Sequence, residues 1–365
     1  MTRVPIAVPQ HPYEAWIEHG LLAQAGSRLR EILPGRQRLF IVTVAPVRRK
    51  WGKKLLASLE VAGFKPSVIE MRDGETHKKL STVADLAEKL AKDRADRNAA
   101  IIAFGGGVVG DVAGLLASLY MRGVDVIQIP TTILAQLDAS IGGKTGVNLR
   151  AGKNLLGTFH QPRAVLIDPA VLSTLPDREF RAGLYEALKC GVIGNADLFH
   201  QFEQNKDKIL KRDPASLERI ITDAVELKAK VVSADERESG LRKVLNFGHT
   251  IGHALEAETG YRKLLHGEAV AWGMIAATNI ALSVGRTDSV TAGRIADAVL
   301  GMGSLPQVEV SSRKILSRLQ TDKKTRNGVV HFILPREVGT VEVVDGIPEA
   351  AVVQAVDELR RLSKK

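Results

Sequence analysis

Two textures of apolar and polar positions follow one another along this chain. In the first half, short, largely apolar runs stand at residues 38–44, 66–71, 99–104, 124–130 and 164–168. Between several of them, up to about residue 61 and over 82–94 and 108–120, apolar residues recur every three or four positions. Buried strands alternating with amphipathic helices predict βαβ units and a mostly parallel, Rossmann-like sheet. After about residue 176 helical periodicity dominates as far as 319, is broken by β-rich runs at 329–335 and 340–345, and closes in a helix from about 348. The pattern predicts an α/β domain over residues 1–175 and a mainly α-helical domain over 176–365. One stretch, 129–162, shows little regular texture, and a compact domain seldom keeps so long a loop without a use.

Composition narrows the reading. A chain of 365 residues is long for one core,. Its single cysteine, Cys190, rules out an intrachain disulfide and, with an opening MTRVPIAVPQ unlike an export signal, points to the cytoplasm,. The uncharged run at 269–285 is interrupted by Thr278, Asn279 and Ser283 and reads as a buried helix, not a membrane span,. The formal charge of +10 suits a solvated basic surface or an acidic small molecule,. Lys50, Lys53 and Lys54, after Arg48 and Arg49, carry no aromatic interleaving, so no nucleic-acid partner is implied,.

Candidate chemistry begins at AFGGGVVGDVAG, where Gly105, Gly107 and Gly110 fit G-x-G-x-x-G between a strand and a helix,. Such a turn either cradles a pyrophosphate at the helix N-terminus or only lets strand and helix pack closely. Both readings stay open, because Asp125, the acid at about the right distance, starts a strand. Glu75 and Lys78 lie in a turn after the second apolar run, where an open α/β sheet collects ligands,. The long loop carries Asp138, Ser140, Lys144, Thr145, Asn148, Lys153 and Asn154 among glycines, a mixture able to meet an anion,. GGKTG within it lacks the first glycine of a nucleotide P-loop,.

LNFGHTIGHALE sets His249 and His253 four residues apart on one helix face,. Glu186 and Lys189 lie three apart on a helix face in an otherwise apolar setting, and His266 stands at the predicted start of another helix. Glu186 and His266 with one of the pair would make a carboxylate–histidine set with an open position, as a catalytic zinc has. Spacing does not say which of His249 and His253 is the ligand, and each histidine taken singly also suits a core or capping role.

DGETHK, GGGVVGD, PTTILAQLDASIGGKTGVN, GKNLLGTFHQP, RAGLYEALK, DERESGLRKVLNFGHTIGHALE, HGEAVAWGM and DKK follow in order between Asp73 and Lys324. Through them the chain resembles the 3-dehydroquinate synthases, members of the sugar-phosphate cyclase superfamily. The resemblance implies an active site in the cleft between the domains, NAD, one divalent metal (zinc or cobalt) and a homodimer. It assigns the metal to Glu186, His249 and His266, and leaves His253 to face the substrate. Dinucleotide contacts fall on Glu75, Lys78, Gly106, Gly107, Val108, Asp111, Thr131, Thr132, Asp138, Lys153, Thr174, Leu175 and Glu179. Substrate contacts fall on Arg122, Asp138, Lys144, Asn154, Lys189, Lys228, Arg242, Asn246, His253 and Lys323 or its neighbour Lys324. Of these, His253, Lys144, Lys189, Asn154, Arg242 and Asn246 are the implied catalytic group. Val44 stands where the family has an Asp or Asn for the adenine ribose, and Cys190 where it often has an aromatic; the cysteine reads as buried filler.

The implied reaction is a lyase step in aromatic amino acid biosynthesis. The phosphorylated sugar acid 3-deoxy-D-arabino-heptulosonate 7-phosphate becomes 3-dehydroquinate and phosphate through transient oxidation, elimination, re-reduction and aldol closure. Rival readings are a sibling cyclase such as a 2-deoxy-scyllo-inosose synthase, a metal-dependent alcohol dehydrogenase, and a basic binding protein without catalysis.

Overall fold

The computed structural model describes residues 1–35, 38–238, 240–325 and 329–364, with the side chains of 321–325 outside that description. Two compact units emerge. The first comprises Met1–Leu175 with Leu217–Ser233, and the second Pro176–Ser216 with Ala234–Lys365. The chain therefore passes from one unit to the other three times.

The first unit is built on a seven-stranded sheet in the order β1-β2-β9-β6-β5-β3-β4. Its strands are β1 (Thr2–Ile6), β2 (Tyr13–Ile17), β3 (Leu39–Val44), β4 (Ser67–Met71), β5 (Ala100–Gly105), β6 (Asp125–Pro130) and β9 (Ala164–Ile167). Only β1 and β2 pair antiparallel; the rest of the sheet is parallel. Strands β3 and β5 are buried along their whole length, which is why they read as unbroken apolar runs: helices cover both faces. Phe40, Val42, Ile101 and Ala103 meet Val83, Leu86 and Leu90 of α4 (Leu80–Lys92) and Val112 and Leu116 of α5 (Gly107–Leu119). Leu39, Ile41, Ile102 and Phe104 meet Leu29 of α1 (Ala25–Ile32) and Leu55 and Leu59 of α3 (Lys53–Val61) on the other face. A short turn, α2 (Ala45–Val47), links β3 to the stretch before α3.

Two parts of this unit depart from the apolar pattern. Strands β1 and β2 escape it because Pro5 interrupts the first, which a sheet tolerates only at an edge, the place β1 occupies,. The stretch 129–162, expected to lack regular structure, holds a turn of π-helix at Ala135–Ala139 and a hairpin of β7 (Lys144–Leu149) and β8 (Gly152–Phe159). Its glycines explain the miss. A Cβ on Gly157 would stand 1.9 Å from the Thr145 carbonyl oxygen, so backbone proximity, not side-chain propensity, forms the pair,.

Asp168 shows how loops are tied to the sheet. Its buried carboxylate accepts from the backbone N–H groups of Gly20 (2.7 Å), Leu22 (2.9 Å) and Ala170 (2.9 Å). Asp168→Ala strands those donors and is expected to cost on the order of 3 kcal/mol in urea denaturation.

The second unit is mainly helical: α6 (Asp177–Gly194), α7 (Ala196–Gln204), α8 (Lys206–Leu210), α10 (His249–Glu258), α11 (His266–Ser283), α12 (Ser289–Leu300), α13 (Ser312–Thr325) and α14 (Glu349–Leu362), with a hairpin of β10 (Phe332–Glu337) and β11 (Thr340–Val344). The remaining helix, α9 (Pro214–Ala234), lends residues 217–233 to the first unit. Helix α11 is apolar on all sides because α6, α10, α12, α14 and β10 surround it,. Among the described residues no helix is long and apolar enough to cross a membrane. Cys190 is buried within α6.

Candidate functional site

In the second unit, glycines bring three helices unusually close. An added Cβ on Gly267 of α11 would lie 1.8 Å from the Ala182 carbonyl oxygen of α6, and one on Gly273 1.8 Å from the Gly248 oxygen at the head of α10. Gly248 has φ +80°, a left-handed conformation that suits glycine at this helix start,. These crossings draw Glu186 and Lys189 of α6, His249 and His253 of α10 and His266 of α11 into one cluster.

Glu186 is fully buried. Its Oε1 lies 3.7 Å from His249 Nε2 and 3.5 Å from His266 Nε2, and its Oε2 lies 2.5 Å from Lys189 Nζ. The lysine contact is an ion pair only, for neither carboxylate oxygen takes a hydrogen bond of proper geometry. Two imidazole nitrogens and an under-coordinated carboxylate oxygen facing one point are a donor set suited to a divalent cation. Each ring is held from behind: His249 Nδ1 donates to the Phe247 carbonyl (3.1 Å) and His266 Nδ1 stands 3.2 Å from Glu256 Oε2. The ligand atoms of His249, His253 and His266 fall within 4.8 Å of one another, and the His249 and His253 ring centroids are 5.1 Å apart.

Burial, then the charges of Lys189, His253 and His266, hold His249 well below the usual imidazole range, in the neutral form a metal requires,. For His266 burial also opposes charge, but the Glu256 hydrogen bond and the charges of Glu186 and Glu256 outweigh it and raise the group. Arg242 and Asn246 sit on a 3-10 turn, Leu241–Asn246, that packs against α6. Arg242 is buried, its guanidinium donating to the Glu236 carbonyl (2.6 Å), and Asn246 Nδ2 donates to Glu238 Oε1 (3.0 Å).

The first unit gathers a second group around its glycine turn. Gly106 caps α5, and a Cβ there would meet Thr132 at 3.1 Å. The Thr131 N–H donates to the Gly105 carbonyl (2.9 Å), so the segment after β6 lies along the turn that bears Gly107 and Val108. Lys78 is buried, with its ammonium 2.5 Å from Asp111 Oδ2 and hydrogen-bonded to Asn154 Oδ1. Burial pushes the Asp111 carboxyl up, against the pull of Lys78. Asn148 joins the group: its Nδ2 donates to Glu75 Oε1 (2.7 Å), and its Oδ1 accepts from the Asn154 N–H (2.9 Å). Lys228, from α9, stands 2.5 Å from Asp138 Oδ1. Thr174 accepts from Lys50 Nζ (2.7 Å) through its carbonyl and from Trp51 Nε1 (2.9 Å) through its hydroxyl, and the Leu175 N–H donates to the Leu172 carbonyl.

The remaining expected residues are placed as follows. Arg122 occupies an exposed turn after α5 with φ +68°, and among the described residues no hydrogen bond or ion pair ties it to the others. Lys144 opens β7 and is exposed, Lys153 lies in β8, and Glu179 is exposed in the first turn of α6. The side chain of Lys323 lies outside the described residues. Sequence reasoning missed Glu256 and Glu238 and assigned Asn148 no role. Only Glu256 left a signal, seven residues after His249 and three after His253, on the same helix face,.

Comparison with known proteins adds three findings. A family model described as 3-dehydroquinate synthase N-terminal matches residues 68–182, and its C-terminal counterpart matches 183–325. A 3-dehydroquinate synthase of Koribacter versatilis (strain Ellin345) is 56% identical over 363 residues, covering 100% of this chain and 99% of its own. Two solved structures share the fold over 98% of this chain and 99% of theirs. One is 2-epi-5-epi-valiolone synthase of Streptomyces hygroscopicus subsp. jinggangensis 5008 with NAD+ and Zn2+ bound, at 31% identity and TM-score 0.88. The other is a 2-deoxy-scyllo-inosose synthase complexed with carbaglucose-6-phosphate, NAD+ and Co2+, at 26% identity and TM-score 0.86.

Proposed function

This chain belongs to the 3-dehydroquinate synthase family, and from that premise we propose that it converts 3-deoxy-D-arabino-heptulosonate 7-phosphate to 3-dehydroquinate and phosphate with NAD and one zinc or cobalt ion. The observation that carries the reading is the convergence of Glu186 Oε1 with the Nε2 atoms of His249 and His266. Those three side chains would hold the metal, and the buried carboxylate without a proper hydrogen bond is what such an ion satisfies. The glycine turn, Glu75, Lys78, Asp111, Thr131, Thr132, Asp138, Lys153, Thr174, Leu175 and Glu179 would hold NAD; the close approach at Gly106 leaves backbone, not side chain, toward a pyrophosphate,. When bound, the two groups supply a reversible hydride acceptor and a Lewis acid, the chemistry of transient alcohol oxidation.

The chain's own residues do the rest. The substrate carries a carboxylate and a phosphate, and Arg122, Lys144, Asn154, Lys189, Lys228 and Arg242 would bind and orient them, arginine through paired N–H donors. Asn246, steadied by Glu238, would fix a substrate hydroxyl. His253, exposed beside the metal set, would move a proton as phosphate leaves, a contribution on the order of 10²–10⁴ in rate,. Hydride removed early and returned later leaves no net redox; the balance is one phosphate lost and a carbocycle closed.

The test supplies the heptulosonate phosphate with zinc or cobalt and NAD at a small fraction of the substrate, and follows phosphate, dehydroquinate and NADH. Dehydroquinate forming over many turnovers without NADH build-up is the expected result. Net NADH would indicate a dehydrogenase. No turnover by a metal-loaded protein would indicate a sibling cyclase or a binding protein.

A further inference from the structure

Resting on the reading of Glu186, His249 and His266 as the metal set, we propose that Glu256 is a positioning residue whose buried carboxylate sets the tautomer and direction of the His266 ring. Glu256 is 4% exposed, and its Oε2 lies 3.2 Å from His266 Nδ1. An ionised carboxylate only accepts, so Nδ1 carries the proton and donates. The lone pair is thereby left on Nε2, the atom 3.5 Å from Glu186 Oε1.

Helix α10 thus plays two parts. It carries His249 in its first turn and, in its last, the brace for His266 of α11. Local physics does not favour an acid in that last turn, where the helix dipole is negative. Burying the carboxylate adds a further cost unless it is hydrogen-bonded. A tertiary role toward His266 accounts for its presence. The braces also differ in kind: His249 leans on the neutral carbonyl of Phe247, His266 on a charge. An anionic acceptor makes the ring a stronger electron donor at its other nitrogen, and loss of such an outer partner typically weakens metal binding 10- to 100-fold.

Glu256→Gln, Glu256→Ala and Glu258→Gln test this, the last as a control because Glu258 lies near Arg318 (3.8 Å) instead. Metal-free protein is titrated with Zn2+ against a chromophoric chelator, and with Co2+ while its visible absorption is recorded. The wild type is expected to take one ion per chain and Glu258→Gln to match it. Glu256→Gln should bind Zn2+ about 10-fold more weakly and Glu256→Ala about 100-fold, both with an altered cobalt spectrum. If Glu256→Ala does not fold, Glu256→Gln decides, since it keeps volume and an acceptor. Wild-type affinity and cobalt spectrum in Glu256→Gln overturn the proposal. So does weakening that only tracks a lowered melting temperature with the cobalt spectrum unchanged, for that marks a merely structural role. A wild type that takes up no metal would instead sink the underlying reading of the metal set, and this measurement comes first.

Discussion

Replacing His249 with alanine is expected to abolish stoichiometric metal uptake and to lower turnover by about 10⁴-fold or more, because groups that act as one unit lose function together. Removing one of the two imidazoles that face Glu186 Oε1 leaves a carboxylate and a single histidine, too few protein ligands for a catalytic zinc site,. His253→Ala separates the roles of the pair. Its ring sits 5.1 Å from that of His249 and within the same three-histidine group, yet it is exposed. The variant should retain one metal ion per chain and lose about 10²–10⁴ in kcat. Metal analysis of the two purified variants beside their rates decides the matter; a metal-free His253→Ala protein would reverse the division of labour.

Gly267→Ala should be nearly as damaging without touching a ligand. The new methyl would stand 1.8 Å from the Ala182 oxygen and 2.5 Å from its carbon, backbone atoms that cannot step aside alone. Helix α11 would have to move off α6. Gly267 adjoins His266, and Ala182 lies one helical turn before Glu186, so the displacement is expected to open the proposed metal set. Overpacking of this kind costs about 3 kcal/mol or more, read by urea denaturation, and zinc affinity should fall with it. Gly293→Ala in α12 is the matched control: nothing lies within 4 Å of its added Cβ, and the exposed helical site should gain about 0.5–1 kcal/mol. Equal behaviour of the two variants would mean that the α6–α11 crossing is looser than described.

What could be read beforehand follows from how each element is buried. Strands β3 and β5 lie inside the sheet with helices on both faces, so apolar composition alone marks them. Strand β1 sits at an edge and tolerates Pro5, and β7 with β8 relies on Gly146 and Gly157, so neither advertises itself through propensity. At the site, the spacing of His249 and His253 was visible as one helix face, and an acid beside Lys189 in an otherwise apolar stretch of α6 drew attention to Glu186. The direction of each ring was not, because it depends on the Phe247 carbonyl and on α11 meeting α10 at Gly273. Asn148 illustrates the same limit: it joins Asn154, across the β7–β8 hairpin, to Glu75 in the turn after β4, and no local pattern links that turn to the hairpin.

The threefold passage of the chain between its units constrains how such a protein can be divided or recombined. A fragment ending at Leu175 lacks Glu218, which accepts from the His19 N–H (3.0 Å), Lys228, which pairs with Asp138, and Ser233, whose hydroxyl accepts from the Ala7 N–H (2.9 Å). No single crossover in the gene can trade one unit for a cousin's and leave the other whole. Gene fission or domain shuffling at that boundary would sever α9 from the sheet it belongs to, so the two units are inherited as one.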